Sequence, residues 1–89
     1  MESAYFVTKP VTLIGRATDA DLQIADGMVS RRHAEVRYNR ETDDLVLVDL
    51  GSTNGTLVNN LPIGEHALSN ADRISLGDTT LVFERDPVD

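Results

Sequence analysis

His33-Ala34-Glu35-Val36-Arg37-Tyr38-Asn39 carries polar residues at its odd positions and apolar ones at 34, 36 and 38. Side chains of an extended chain point alternately to opposite faces, so this pattern reads as a half-buried β-strand. A few residues on, Leu45-Val46-Leu47-Val48 is apolar on both faces, as a central strand is. Outward from this pair, Val11-Thr12-Leu13-Ile14, Leu22-Gln23-Ile24, Arg73-Ile74-Ser75-Leu76 and Thr79 to Glu84 show the same extended character. Turn signals separate them at Asp26-Gly27, Asn39 to Asp44, Asn54-Gly55, Asn59-Asn60, Gly64 and Gly77-Asp78. The one helical rival, Ile63 to Ala71, is short and interrupted by Gly64 and Asn70. Short strands punctuated in this way predict an all-β domain, a sandwich or a barrel.

The chain has 89 residues, enough for one compact core but not for two lobes around a deep cleft. No apolar run approaches the ~18 residues of a membrane span, and Met1 to Phe6 lacks the basic and apolar regions of a secretory signal. There is no cysteine, which excludes disulfides, thiolate catalysis and cysteine-ligated zinc, and suits a reducing, cytoplasmic setting. The expectation is a single domain over 1–89, ordered over about 4–86 and frayed at both ends.

Fifteen acidic against eight basic residues give a formal charge of −7. Such a chain repels nucleic acid and anionic lipid at long range, so an anionic ligand has to be caught by a local cluster. Arg16, Arg31, Arg32, Arg37 and Arg40 supply a candidate island, while the acids crowd elsewhere.

Loops carry function in a β-scaffold, and three of them hold more chemistry than a connection needs. Leu13-Ile14-Gly15-Arg16 breaks a strand at a glycine and projects a guanidinium from its end, although a lone surface arginine reads the same way. Val29-Ser30-Arg31-Arg32-His33 combines a hydroxyl, two guanidinia and backbone amides in a form suited to phosphate. In Leu50-Gly51-Ser52-Thr53-Asn54-Gly55-Thr56, Asn54-Gly55 signals a hairpin between Leu45–Leu50 and Leu57-Val58, yet a hairpin does not require the three hydroxyls.

Together these blocks resemble the signature of the forkhead-associated domain family: Gly15-Arg16, then Ser30-Arg31-Arg32-His33, then Ser52-Thr53-Asn54-Gly55-Thr56 with Asn59. The likeness runs on through Leu68 to Ile74 and Leu76-Gly77, and so covers about Tyr5 to Glu84. The resemblance implies a two-sheet antiparallel β-sandwich that binds phosphothreonine peptides in serine/threonine kinase signalling. It further implies that Arg16, Ser30, Arg31 and Thr53 form the phosphate shell, and that Asn54 and Asn59 serve the peptide backbone. Gly15, His33 and Gly55 would support the site, with Gly15 permitting a bend, and Arg32 would add accessory charge. The implied partner is a phosphothreonine protein, bound by a monomer that needs no cofactor, metal, nucleic acid or membrane.

Two departures from the family pattern stand out. Ala71 occupies a position where glycine is frequent, and only fourteen residues precede Gly15, where related domains often hold a further strand. The chain is therefore expected to lack that first strand, as a piece of a longer protein, with Thr79 to Glu84 as an open edge prone to strand-mediated dimerisation. Among rival readings, a Ser30–His33–Asp triad lacks the strand-turn-helix elbow that presents a nucleophilic serine. A cation site at Asp19, Asp21 and Asp26 lacks the spacing and closing glutamate of a calcium loop. The remaining alternative is a phosphate-independent interaction or dimerisation module built on the same sandwich.

Overall fold

A computed structural model describes residues 4–85, all of them strand, turn or irregular chain. The expected fraying at residues 1–3 and 87–89 falls outside these described residues. Among the described residues nine strands form: β1 (Val11–Gly15), β2 (Leu22–Gln23), β3 (Ala34–Asn39), β4 (Asp44–Asp49), β5 (Thr56–Val58), β6 (Leu61–Pro62), β7 (Glu65–Ala67), β8 (Arg73–Leu76) and β9 (Thr79–Val82). They make a five-stranded sheet in the order β2-β1-β3-β4-β7 and a four-stranded sheet in the order β6-β5-β8-β9.

The alternation read from the sequence sets the inner faces. Ile14 lies opposite Ala34 and Val36 opposite Leu47, and all four are buried. Val58 and Ile74, paired in the second sheet, join them in one hydrophobic cluster with Ile24, Val29, Leu68 and Leu76. The two sheets are thus the halves of a sandwich with a shared core, in which each fully buried aliphatic side chain contributes about 1.5–3 kcal/mol.

Three details differ from the sequence expectations. The β1–β2 pairing is parallel, so the sandwich is antiparallel everywhere but there. Asn54-Gly55 does not close a hairpin. β4 pairs with β3 and β7, whereas β5 pairs with β6 and β8 in the other sheet, so the 50–55 segment crosses between layers. Finally, β6 and β7 occupy a stretch without alternation, largely exposed. They exist because β5 and β4 offer them free backbone edges, a cause that no local pattern records. Among the described residues no strand precedes Val11, and β9 is paired on one side only.

The genuine tight hairpins obey the turn chemistry. Asn59 and Asn60 between β5 and β6 have φ of 52° and 69°, the paired left-handed geometry that matches strand twist and that asparagine tolerates. Gly77, with φ of 58°, opens the β8–β9 turn.

Candidate functional site

β1, β3, β4 and β5 bring three loops to one end of the sandwich. β1 reaches it at Gly15. A Cβ on this glycine would overlap the Arg31 carbonyl oxygen, and it would lie 2.7 Å from the Arg31 carbonyl carbon and 3.1 Å from the Ser30 carbonyl oxygen. Gly15 is therefore required for close approach of two chain segments, not for a bend. The seam is laced by Arg16 N–H to Ser30 O at 3.0 Å and Ala17 N–H to Arg31 O at 3.2 Å.

Arg16 then folds back along the second loop. Its Nε donates to the Val29 carbonyl at 3.0 Å, which holds the guanidinium in place and leaves its terminal nitrogens without a protein partner among the described residues. Ser30 touches the third loop directly, its Oγ accepting the Thr53 N–H at 3.0 Å. The Ser30 hydroxyl keeps its own proton to donate. Asn54 Nδ2 donates to the Met28 carbonyl at 2.8 Å, so the second and third loops are stitched twice.

His33 is the brace beneath this seam. It is wholly buried. Its Nδ1 accepts the Ser30 N–H at 3.0 Å, so in the neutral ring the proton resides on Nε2, which donates to the Gly55 carbonyl at 2.9 Å. One imidazole thereby joins the loop before β3 to the loop before β5. Both ring nitrogens are spent on backbone, and neither meets the Ser30 hydroxyl, so the serine–histidine dyad of a hydrolase is not formed. Gly55 has φ of 83°, the left-handed turn that glycine adopts without strain.

Two organising residues carry no sequence signal of function. Asp49, at the end of β4, accepts the N–H groups of Gly51 at 3.0 Å and Ser52 at 3.1 Å, the Ser52 hydroxyl at 2.6 Å and the Thr56 hydroxyl at 2.7 Å. Burial pushes its carboxyl up, but these donors outweigh it and hold the carboxyl below the usual aspartate range. Of the three hydroxyls in this loop, Ser52 and Thr56 therefore face inward, and only that of Thr53 is uncommitted. The visible hint was an aspartate two and three residues before small polar residues, the pattern of a side-chain-closed turn. Asp26 does comparable work. It receives the Met28 N–H at 2.9 Å, the Asp78 N–H at 2.8 Å and the Thr79 hydroxyl at 2.8 Å, which ties the second loop to the β8–β9 turn. These bonds, the one from Met28 foremost, lower its pKa. Asp21 is likewise spent on Lys9 and the Leu13 N–H.

Not every residue singled out from sequence arrives here. Asn59 sits at the far end of β5, where its Nδ2 donates to Asp72 and its Oδ1 accepts the Arg73 N–H, each at 3.0 Å. The expectation that it serves a bound peptide is corrected: its amide is closed on its own turn. Arg37 and Arg40 also leave the island. At about 3.3 Å per residue, β3 carries Arg40 some 20 Å from His33, and Arg37 pairs with Glu35. Arg32 is exposed and without an ion-pair partner among the described residues, as is Arg31 beside it. The basic cluster is thus three arginines rather than five, and all three lie at the loop end.

Comparison with known proteins agrees with this arrangement. The chain matches the FHA domain family over residues 12–77. It is 41% identical over 85 residues to the glycogen accumulation regulator GarA of Mycolicibacterium smegmatis, covering 96% of this chain and 52% of that protein. It is 44% identical over 81 residues to the oxoglutarate dehydrogenase inhibitor of Corynebacterium jeikeium, covering 91% of this chain and 55% of that one. The chain therefore spans about half the length of the curated relatives it matches. Among solved structures, an FHA domain studied for phosphothreonine-dependent interactions superposes with a TM-score of 0.87 at 39% identity, covering 94% of this chain and 85% of that one. The FhaA FHA domain in complex with the intracellular domain of Rv3910 superposes at 0.82 with 41% identity, covering 88% and 84%.

Proposed function

The chain belongs to the forkhead-associated domain family, and from that premise we propose that it is a phosphothreonine-dependent binding module that performs no chemistry of its own. The carrying observation is the surplus of donors at the loop end. The terminal nitrogens of Arg16, the hydroxyl proton of Ser30 and the hydroxyl of Thr53 are all left over by a network that has satisfied its neighbours. A phosphothreonine brings about −1.5 to −2 charge and three acceptor oxygens, which is what such a set of donors lacks. Each charge-assisted bond so formed contributes roughly 1.5–3 kcal/mol.

In this reading Arg16 and Ser30 contact the phosphate, Arg31 flanks it through its backbone or side chain, and Thr53 completes the shell. Asn54, already fixed by Met28, offers its Oδ1 to the ligand main chain. Gly15, His33 and Gly55 hold the three loops at their spacing. Arg32 adds field. No helix among the described residues is long and apolar enough to cross a membrane, and the module would act in the cytoplasm, recruiting a substrate of a serine/threonine kinase.

The test is titration with phosphothreonine peptides, each beside its phosphoserine and unmodified twins. The phosphothreonine form binds best, the phosphoserine twin about fourfold or more weaker for one lost buried methyl, and the unmodified twin undetectably. Arg16→Ala abolishes binding while the thermal midpoint stays within about 2 °C, as expected for an exposed side chain. Affinity falls below about pH 6, where the phosphate takes its second proton. Equal affinity for phosphorylated and unmodified peptides would establish a phosphate-independent interaction module instead.

A further inference from the structure

Asparagines stand at positions 39, 54, 59, 60 and 70, and only Asn54 is followed by glycine. The neighbour matters because the backbone nitrogen of the next residue can attack an asparagine side chain, and a β-carbon on that residue crowds the approach. Gly55 has no β-carbon, and one built there would meet nothing within 4 Å. The segment is irregular chain crossing between the two sheets, so the Gly55 N–H lies outside both strand ladders and has no acceptor among the described residues. Asn54 itself is exposed. By contrast, the side-chain oxygens of Asn39, Asn59 and Asn70 are engaged by the N–H groups of Glu41, Arg73 and Arg85. We propose that Asn54 is a site of spontaneous deamidation, and that this covalent change switches the loop end off.

The step balances with water as the one co-reactant. The Gly55 nitrogen, giving its proton to base, bonds to Asn54 Cγ, and the side-chain nitrogen leaves as ammonia. Water then opens the five-membered imide at one of its two carbonyls. Opening at Cγ gives aspartate; opening at the main-chain carbonyl gives isoaspartate, whose backbone runs through Cβ and Cγ. Nothing is oxidised or reduced.

The fold gives either product a consequence. Asn54 Nδ2 donates to the Met28 carbonyl at 2.8 Å. After the reaction a carboxylate oxygen faces that carbonyl, and two acceptors cannot bond, so one of the two stitches between the second and third loops is lost. The new negative charge also competes for the arginines at this end and repels a phosphate. In isoaspartate the main chain is one atom longer between the Thr53 N–H, held by Ser30, and the Gly55 carbonyl, held by His33, so the loop spacing changes too. The loss of binding rests on the phosphothreonine reading above; the covalent step does not. Asp26-Gly27 is the contrast. Its carboxylate is held ionised by the Met28 and Asp78 N–H groups and the Thr79 hydroxyl, and so offers no leaving group.

The experiment incubates the folded chain at neutral and at mildly alkaline pH, with the chain unfolded in urea as reference. Peptide mapping by mass spectrometry follows the gain from amide to acid, and an isoaspartyl methyltransferase scores the isoaspartate. The gain concentrates in the peptide holding Asn54, is faster at alkaline pH, where the attacking nitrogen loses its proton more readily, and spares Asn39, Asn59 and Asn70. A phosphothreonine peptide at saturation slows it, because the ligand main chain restrains the amide. Affinity for that peptide falls in step with the modified fraction, and Asn54→Asp, which copies one product, binds about tenfold or more weakly from the start. Asn54→Gln, whose longer side chain closes a ring far more slowly, shows no mass gain at this position. An intact Asn54 in the folded chain over a time that converts the unfolded one, or equal conversion at Asn59, overturns the site. Conversion with undiminished phosphopeptide binding overturns the switch. If no phosphothreonine peptide binds the fresh chain, the phosphothreonine reading falls, and the mass map still decides the covalent step.

Discussion

Asn54 and Asn59 look alike in the sequence, each within a turn beside β5, yet they end in opposite states. Asn54 spends its Nδ2 on the Met28 carbonyl and keeps its oxygen free. Asn59 spends both ends of its amide, on Asp72 and on the Arg73 N–H. The two ends of the sandwich differ in the same way. At the far end Asp72 gathers the Ser69 N–H at 2.8 Å, Asn59 and His66, and Asp43 takes both the Tyr38 hydroxyl and Arg85. Polar groups there close on one another. At the loop end the same kinds of residue hold three loops together and leave donors over. The candidate site is therefore set apart by polar capacity that folding has not consumed, and the presence of polar residues alone does not set it apart.

The largest effect comes from removing the brace at the loop end. His33→Ala leaves the Ser30 N–H and the Gly55 carbonyl without partners in a buried place, and opens a cavity. Chemical denaturation should register a loss of about 3–4 kcal/mol together with loss of phosphopeptide binding. Retained affinity in a folded variant would show that the loops hold their spacing without it.

Next is Asp49→Asn, which weakens several charge-assisted bonds and should cost about 1–2 kcal/mol. The pH dependence has a definite sign. The folded-state pKa of Asp49 is lowered, as are those of Asp26 and Asp72, by their backbone donors Met28 and Ser69 foremost. Their stabilisation is complete above the unfolded aspartate value of about 3.9 and is lost as pH falls through the lowered values. Acid unfolding of the native chain should steepen below about pH 4, and the Asp49→Asn variant should show a shallower slope.

The asparagine pair makes the comparison most direct. Asn59→Ala removes two bonds from a residue whose φ is 52°, and should cost about 1–2 kcal/mol of stability with peptide affinity unchanged. Asn54→Ala should do the reverse, lowering affinity about tenfold with a small change in stability. Identical signatures for the two variants would erase the distinction between the ends.

The smallest effect is at Ala71. Its φ is 73°, in the left-handed region where a Cβ is strained, so Ala71→Gly should stabilise by about 0.5–1 kcal/mol, the relief of strain less the entropy of glycine. The measurement is a thermal melt, with binding as the control.

Much of this was legible residue by residue. The alternation in 33–39 marked β3 and the apolar run 45–48 marked β4, whereas the left-handed backbone of Ala71 emerged only from the structure. The candidate site was legible in part: Arg16, Ser30, Thr53 and Asn54 lie on loops that the structure joins at one end. In the sequence a glycine needed for close approach looks like a glycine needed for a bend, and only the Arg31 carbonyl placed against Gly15 tells the two apart. Arg37 and Arg40 stand near Arg31 in the sequence but not in the fold, because nearness in sequence ignores the length of a strand. Asp49 carries no local signal, because an aspartate at a strand end is common and its donors are ordinary loop residues.

By itself the sequence determined what acts over a few residues: which runs are extended, which face of each is apolar, and which turns need a left-handed residue. Sterics and side-chain alternation act between chain neighbours, so these features need no fold to be expressed. Only the tertiary structure decided which polar groups would be spent and which left for a ligand. The bonds that settle it, Arg16 to Val29, His33 to Gly55, Ser30 to Thr53 and Asn54 to Met28, join residues 13 to 26 positions apart. Such bonds form only when two sheets, packed on one core, bring the loop ends within hydrogen-bonding reach.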